Sequence, residues 1–145
     1  MRIAVLNGPN LNLLGQREPE VYGRTSLADI EAMVREAAGS QGVEIDWFQT
    51  NHEGAMVEAV QGLRGRVDGA LINAAALTHS SLALRDALLA VKVPFVELHL
   101  SNIFAREPER RYSVLADLAL GLVTGFGAQS YVLALHALVG RLRAA

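Results

Sequence analysis

The sequence contains no cysteine and only one lysine, Lys92, among its 145 residues. The absence of cysteine excludes disulfide bonds, thiolate nucleophiles and cysteine-ligated metal sites. Lys92 precedes the predicted fourth strand, at the end opposite to most polar residues, so a lysine Schiff base is not expected. Basic residues are not in surplus either. The formal net charge of −2 argues against a large nucleic-acid-binding surface.

Long apolar runs are also missing. The first run, Ile3 to Leu6, turns polar at Asn7, which is too early for the apolar region of a signal peptide. No later run reaches the length of a transmembrane helix. Hydrophobic residues make up 51% of the chain and charged residues 19%, which indicates a globular protein. We therefore expect one soluble, cytoplasmic domain, residues 1–145, that binds neither membrane nor nucleic acid.

Short apolar segments alternate with helical patterns. The predicted strands are residues 3–6, 43–48, 70–72, 95–98 and 118–124. A first helix is predicted to begin at Ser26, with Asp29 placed for a capping box. This alternation predicts an α/β fold with a parallel sheet covered on both faces. The length suits an open, doubly wound, five-stranded sheet of the flavodoxin type, with order 2-1-3-4-5, because a closed barrel needs about 250 residues.

Polar residues that could carry chemistry collect after the carboxyl ends of the predicted strands. They comprise amides, arginines, histidines, hydroxyls and two carboxylates: Asn7, Asn10, Asn12, Arg17, Tyr22, Asn51, His52, Glu53, Asn73, Thr78, His79, Ser80, Glu97, His99, Ser101, Asn102, Arg106, Arg110 and Arg111. Ligands of open α/β sheets bind at this edge, so we expect the site there. Its arginine, amide and imidazole groups suit a small anionic, hydroxylated substrate.

The same residues limit the kinds of reaction that the site could support. Neither a Walker nor a dinucleotide fingerprint occurs, and no phosphate-binding loop follows the first strand, which argues against an FMN carrier. His79 and His99 have arginine and asparagine neighbours, so no metal is expected. A tyrosine beside arginines could be a general base, because a cation favours the phenolate, and a histidine could be the acid. These residues alone allow proton abstraction beside a carbonyl without proving it.

Five motifs, in their order and spacing, resemble type II 3-dehydroquinate dehydratase: NGPNLNLLGQREPEVYG, NHEG, LTHSSLALRDAL, VELHLSN and AREPERR. The resemblance runs from Ile3 to Leu135. It implies dehydration of 3-dehydroquinate to 3-dehydroshikimate in the shikimate pathway, by anti elimination through an enolate and without metal or cofactor. It also implies a flavodoxin-like fold and a homododecamer, a tetramer of trimers.

The first motif would carry most of the catalytic set. By resemblance, Tyr22 is the base that removes the proton beside the ketone. Arg17 would keep it ionised, with a contribution from Arg106 of the last motif. Asn10 would bind the water that stabilises the enolate. The segment 7–23 is then expected to act as a catalytic lid that closes over the substrate.

The fourth motif would supply the acid. By resemblance, His99 protonates the leaving hydroxyl and Glu97 orients it. Asn73, Ser101 and the backbone of Leu100 resemble the clamp for the substrate carboxylate.

The remaining contacts would come from His79 and Arg110, which resemble the residues that bind the substrate hydroxyls. Asp86 resembles the residue that a neighbouring subunit lends to the site. It stands on a predicted helix, so an equally good interpretation is an ion pair with Arg85 or Arg110.

Three positions depart from the family pattern. The sequence Asn-Ala-Ala-Ala-Leu at 73–77 stands where Asn-Pro-Gly-Ala-Tyr is usual, Glu109 replaces a common aromatic residue, and Tyr112 replaces a usual histidine. The alternative function is a non-catalytic protein that binds quinate-like anions or serves as a structural oligomer.

Overall fold

The computed structural model of the chain describes residues 1–16, 20 and 24–145. Strands and helices alternate along it: β1 (Arg2–Asn7), α1 (Leu27–Gly39), β2 (Glu44–Gln49), α2 (Glu53–Gln61), β3 (Gly69–Asn73), α3 (Leu82–Val91), β4 (Phe95–His99), β5 (Gly121–Thr124) and α4 (Gln129–Ala144). Short 3-10 helices lie in the loops at Leu11–Leu13, Ala75–His79, Ile103–Ala105 and Pro108–Arg110. Neighbouring strands pair in parallel in the order β2-β1-β3-β4-β5, which confirms the predicted fold class and strand order.

Alternation along the strands builds two apolar layers. Ile3 and Val5 of β1 pack on one face of the sheet with α1 and α4, whereas Ala4 and Leu6 pack on the other with α2 and α3. Successive side chains of a strand point to opposite faces, so a wholly apolar strand needs cover on both sides. Accordingly β1, β3 and β4 are almost entirely buried, while the edge strands β2 and β5 are partly exposed.

Side-chain caps mark the starts of α1 and α3. Ser26 and Asp29 form the predicted capping box, with Ser26 Oγ accepting from the Asp29 N–H at 3.1 Å and an Asp29 oxygen accepting from the Ser26 N–H at 3.0 Å. The third helix begins at Leu82, slightly later than predicted, because Ser81 caps it. Among the described residues, no helix combines the length and apolar character needed to cross a membrane.

The fifth strand is shorter than the predicted segment 118–124. It spans only Gly121–Thr124, because the residues before it turn into the core, where Leu118 packs in the layer of α2 and α3. The Leu120 N–H then bonds the Phe95 carbonyl at 2.8 Å and leads the chain onto the edge of β4.

The loops after β1 and β3 lie in direct backbone contact. The Gly8 N–H donates to the Asn73 carbonyl at 2.8 Å, and a Cβ added to Gly8 would lie 2.4 Å from the Ala74 carbonyl oxygen. Only glycine fits this approach. The contact fixes the two loops against each other at the carboxyl edge of the sheet.

Candidate active site

A cavity opens at the carboxyl edge of the sheet, beside the ends of β1, β3 and β4. Its described walls come from the loops that follow these strands: Pro9, Asn10, Leu11, Leu14, Asn73, Ala75, Ala76, His79, His99, Leu100, Ser101, Ile103, Arg106 and Arg110. Parallel strands bring their following loops to one edge, which is why residues distant in sequence meet here. The volume of about 130 Å³ suits a small molecule, since pockets for drug-sized ligands are larger.

The predicted site residues fall into three groups. Most of them line the cavity: Asn10, Asn73, His79, His99, Leu100, Ser101, Arg106 and Arg110. Glu97 lies behind His99, and Asp86 lies exposed on α3 rather than on the described cavity walls. Arg17 and Tyr22 lie outside the described residues, so the roles given to them, and the closing of the lid that carries them, stay predictions.

The end of β4 holds a buried carboxylate–imidazole pair. Glu97 and His99 stand two positions apart, so both side chains point to the same face of the sheet. They are 0% and 4% exposed, and His99 Nε2 lies 2.6 Å from Glu97 Oε2. An ionised carboxylate only accepts hydrogen bonds, so Nε2 carries the hydrogen, and a substrate would meet Nδ1. The buried carboxylate can balance the charge of an imidazolium.

His79 has a defined tautomer for a similar reason. Its Nδ1 lies 2.7 Å from the Tyr112 carbonyl oxygen, which can only accept, so Nδ1 donates. In the neutral ring Nε2 is then an acceptor, suited to a substrate hydroxyl. This contact uses the backbone of Tyr112, so the replacement of the family's usual histidine at that position leaves it intact.

Asn73 belongs to a buried chain of hydrogen bonds. Asn7 and Asn73 end neighbouring strands at paired positions and point to the face that α4 covers, where they meet Tyr131. The Tyr131 hydroxyl donates to Asn7 Oδ1 at 2.7 Å and accepts from Asn73 Nδ2 at 2.9 Å. The Phe48 carbonyl accepts from Asn7 Nδ2 at 3.0 Å, and the Ala75 N–H donates to Asn73 Oδ1 at 3.3 Å. Both ends are backbone groups of fixed polarity, so the orientation of each amide is determined.

Burial keeps the Tyr131 phenol at the centre of these hydrogen bonds neutral. Desolvation raises the pKa of the Tyr131 phenol far above its ordinary value, although the hydrogen bond from Asn73 opposes the shift. Tyr131 therefore retains its hydrogen and remains a donor to Asn7. The Tyr131 hydroxyl uses one of the two hydrogens of Asn73 Nδ2, and Asn73 also lines the cavity.

The loop after β1 is held by side chains from the end of β2. Asn51 Oδ1 accepts from the Asn10 N–H at 2.9 Å, and Gln49 Nε2 donates to the Gly8 carbonyl at 3.2 Å and to Asn51 Oδ1 at 3.1 Å. Asn10 itself has a φ of 70°, a left-handed conformation that asparagine tolerates better than most residues. These contacts fix the backbone of Asn10 at the cavity.

The arginine wall of the cavity is held by Glu107. Arg110 Nε lies 2.6 Å from Glu107 Oε1, and Arg106 Nε lies 3.8 Å from Glu107 Oε2. A hydrogen bond from its own backbone, and then the one from Arg110, lower the pKa of Glu107, so it stays ionised at neutral pH. Glu109, the second departure from the family pattern, is exposed and is not among the described cavity-lining residues.

The two proposed ion-pair partners of Asp86 bind other carboxylates. Arg85 donates to both oxygens of Asp117, at 2.6 and 3.0 Å, and Arg110 binds Glu107. Asp86 contributes only a longer-range attraction that raises the pKa of Arg85, after the larger effect of the Asp117 hydrogen bond. The exposed position of Asp86 is compatible with a contact to a second copy of the chain.

Sequence reasoning missed several supporting residues. Tyr131 and Ser113, which orient Asn73 and Glu97, gave no signal, because their partners are distant in sequence. Gln49 was also missed, although it directly follows the predicted strand 43–48, at the edge where the sequence analysis placed Asn51. Within the described part of the chain, no three His, Cys, Asp or Glu side chains group as metal ligands would.

The chain matches the family model described as dehydroquinase class II over residues 1–139. It is 59% identical over 143 residues to a 3-dehydroquinate dehydratase of Synechococcus sp. strain WH7803, covering 99% of this chain and 97% of that protein. It is 55% identical over 134 residues to a catabolic 3-dehydroquinase of Penicillium rubens, covering 92% and 86%. The crystal structure of a type II dehydroquinase from Butyrivibrio crossotus superposes with a TM-score of 0.93 at 39% identity, covering 96% and 97%.

Proposed function

Because the chain belongs to the class II dehydroquinase family, we propose that it dehydrates 3-dehydroquinate to 3-dehydroshikimate. The single observation that best supports this proposal is the buried Glu97–His99 pair at the end of β4, which reaches a cavity walled by arginine and amide groups. Such a site can supply one proton to a leaving hydroxyl while it binds an anion.

The proposed reaction is an anti elimination in two stages. The Tyr22 phenolate, kept ionised by Arg17, takes a proton from the carbon beside the ketone, and the electron pair of that C–H bond forms the enolate. The enolate then returns its electrons to form the carbon–carbon double bond while the C–O bond breaks. His99, as the imidazolium with a hydrogen on each nitrogen, gives its Nδ1 proton to the departing oxygen, and water leaves. His99 is then neutral with its hydrogen on Nε2, and the proton that Tyr22 took returns through solvent to His99, which restores the phenolate and the imidazolium. The balance is one substrate to one enone and one water, without a redox step.

Substrate binding would use the rest of the cavity. Asn73 Nδ2 has a second hydrogen for the substrate carboxylate, which Ser101 and the backbone of Leu100 would also bind. His79 Nε2 would accept a hydroxyl hydrogen, and Arg110 would bind a second hydroxyl. The water held by Asn10 would stabilise the enolate oxygen.

The position of lysine supports a mechanism without a Schiff base. Lys92, the only lysine of the sequence, is the cap residue at the end of α3, before β4 begins. It therefore stands at the opposite end of β4 from His99, which lines the cavity. A Lys92→Gln variant is expected to keep the activity, since an imine to the substrate ketone is not part of the proposed reaction.

Assembly and location complete the proposal. Asp86 lies on α3 between two exposed leucines, Leu82 and Leu89, which are 63% and 46% exposed and share its helical face. Exposed leucines beside a carboxylate suit burial against another subunit, as a homododecamer with Asp86 lent to a neighbouring site would provide. We propose this assembly, with no cofactor and a cytoplasmic location.

The proposal is tested by mixing purified protein with 3-dehydroquinate and following the ultraviolet absorbance of the conjugated enone. Loss of a general acid typically lowers a rate by about 10²–10⁴-fold, so the rate of enone formation by His99→Ala should be lower than that of wild type by about that factor. His136→Ala is the matched control, because His136 lies on α4, where it contacts Gln41, and is not among the described cavity residues. It should keep the wild-type rate.

Two outcomes would contradict the proposal. If no absorbance develops with wild type, while binding of the substrate is detected by calorimetry, the protein is a binder of quinate-like anions instead. If His99→Ala and His136→Ala have equal rates, the reaction stands but His99 is not its acid.

A further inference from the structure

Ser113 makes a complete set of hydrogen bonds around the carboxylate behind His99. Its Oγ lies 2.7 Å from Glu97 Oε1, the oxygen that does not bind His99. The same Oγ accepts from the backbone N–H groups of Leu115 and Ala116, each at 3.0 Å. Ser113 is not among the described residues that line the cavity.

The polarity of the Ser113 contact is fixed by counting donors and acceptors. A serine hydroxyl has one hydrogen and two lone pairs. The two backbone N–H groups occupy both lone pairs, so the hydrogen must point to Glu97 Oε1. Each oxygen of the buried Glu97 carboxylate then has a donor, Ser113 on one side and His99 on the other. A carboxylate with a defined donor on each oxygen cannot rotate without losing a bond.

The loop that carries Ser113 is anchored through both backbone polar groups of the next residue, Val114. Its Val114 N–H donates to the Thr78 carbonyl at 2.9 Å, and the Val114 carbonyl accepts from Arg85 at 2.8 Å. Arg85 also binds Asp117 through two nitrogens. The loop of Ser113 is therefore fixed by the loop between β3 and α3, through Thr78, and by α3 itself, through Arg85.

We infer that Ser113 is a positioning residue for the acid: it holds Glu97 so that His99 keeps its hydrogen on Nε2 toward Glu97 and presents Nδ1 to the substrate. The kinetic consequence of this inference rests on the proposed function. Ser113 acts only in the second stage, in which the hydroxyl leaves, because Glu97 and His99 take no part in the removal of the carbon-bound proton.

The kinetic test compares wild type with Ser113→Ala in heavy water. Ser113→Ala removes a hydrogen bond to a charged group, and this loss should lower kcat about tenfold to a hundredfold, with KM little changed. The enolate should still form and take up deuterium as it returns to substrate. Recovered 3-dehydroquinate should therefore contain more deuterium per product molecule formed in Ser113→Ala than in wild type.

Two variants separate positioning from a general loss of structure. Ser113→Thr keeps the hydroxyl and should restore most of the rate. Ser130→Ala removes a different buried hydroxyl, one that accepts from the Phe126 N–H and is not among the described cavity residues, so it should leave the exchange ratio unchanged. A parallel fall of exchange and elimination in Ser113→Ala, or an unchanged kcat, would overturn the inference.

A second readout does not depend on activity. Long-range proton–nitrogen NMR of ¹⁵N-histidine protein, with His99 assigned by substitution, reports which ring nitrogen carries the hydrogen in the neutral ring. Wild type should show the Nε2–H form, and Ser113→Ala should show a mixture of the two tautomers. If the tautomer is the same in both proteins, the inference is wrong. If the protein fails to dehydrate 3-dehydroquinate but the tautomer shifts, only the proposed function is wrong.

Discussion

The substitution Tyr131→Phe should destabilise the protein far more than the loss of one oxygen suggests. Tyr131 is fully buried, and its hydroxyl joins Asn7 of β1 to Asn73 of β3. Phenylalanine keeps the ring and its packing against Trp47, whose ring centre lies 5.9 Å away. The change therefore isolates the hydrogen bonds from the apolar contacts.

The expected magnitude follows from the groups left behind. Asn7 Oδ1 and one hydrogen of Asn73 Nδ2 each lose their partner, and the two residues are 0% and 3% exposed, so bulk water does not replace it. Each buried polar group without a partner costs about 1–3 kcal/mol, so the two groups give a loss of roughly 2–6 kcal/mol. That is a large part of the 5–15 kcal/mol or so by which most domains are stable.

The assay is urea unfolding followed by circular dichroism, with Tyr112→Phe as the control, because Tyr112 is 55% exposed. Tyr112→Phe should change the free energy of unfolding by less than about 0.5 kcal/mol. Asn73 also loses its fixed orientation in Tyr131→Phe, so KM for the substrate should rise. If Tyr131→Phe had the same unfolding midpoint as wild type, the hydrogen bonds of Tyr131 to Asn7 and Asn73 would not stabilise the fold as proposed.

Four further substitutions test backbone and packing, each by the free energy of unfolding in urea. Gly8→Ala should be strongly destabilising, because its Cβ would lie 2.4 Å from a backbone oxygen, whereas Gly140→Ala in α4, with open space around it, should gain about 1 kcal/mol. Ala75→Gly should be neutral or stabilising by up to about 1 kcal/mol, because Ala75 has a φ of 52°. Thr78→Val should stabilise by about 1 kcal/mol, because Thr78 Oγ1 is the buried side-chain polar atom that lacks a partner within the described residues. A result of opposite sign would refute the reason given for that residue.

The fold was predictable because its signals are local. Alternation and apolar runs identified the strands, and Ser26 with Asp29 identified the start of α1. The beginning of β5 was not predictable, because Leu118 is as apolar as a strand residue and only its packing in the core sets it apart. Local patterns cannot distinguish an apolar residue in a strand from one in a turn that covers the core.

The polar residues of the described cavity wall were predictable from their place after the strands, whereas Tyr131 and Ser113, which orient Asn73 and Glu97, were not. The hydrogen bond between Tyr131 and Asn7 spans 124 positions, and no pattern within a short window can reveal it. Ala75 illustrates a different limit. The family pattern has glycine at this position, and the left-handed φ of Ala75 gives that preference a physical reason.

The most direct test of the central claim is the ultraviolet absorbance of wild type and of Tyr22→Phe, each mixed with 3-dehydroquinate. Phenylalanine removes the proposed base and leaves the remaining side chains unchanged. The enone absorbance should rise with wild type and stay at the background rate with Tyr22→Phe. An equal rise with both proteins would contradict the proposed mechanism, and no rise with either would contradict the proposed function.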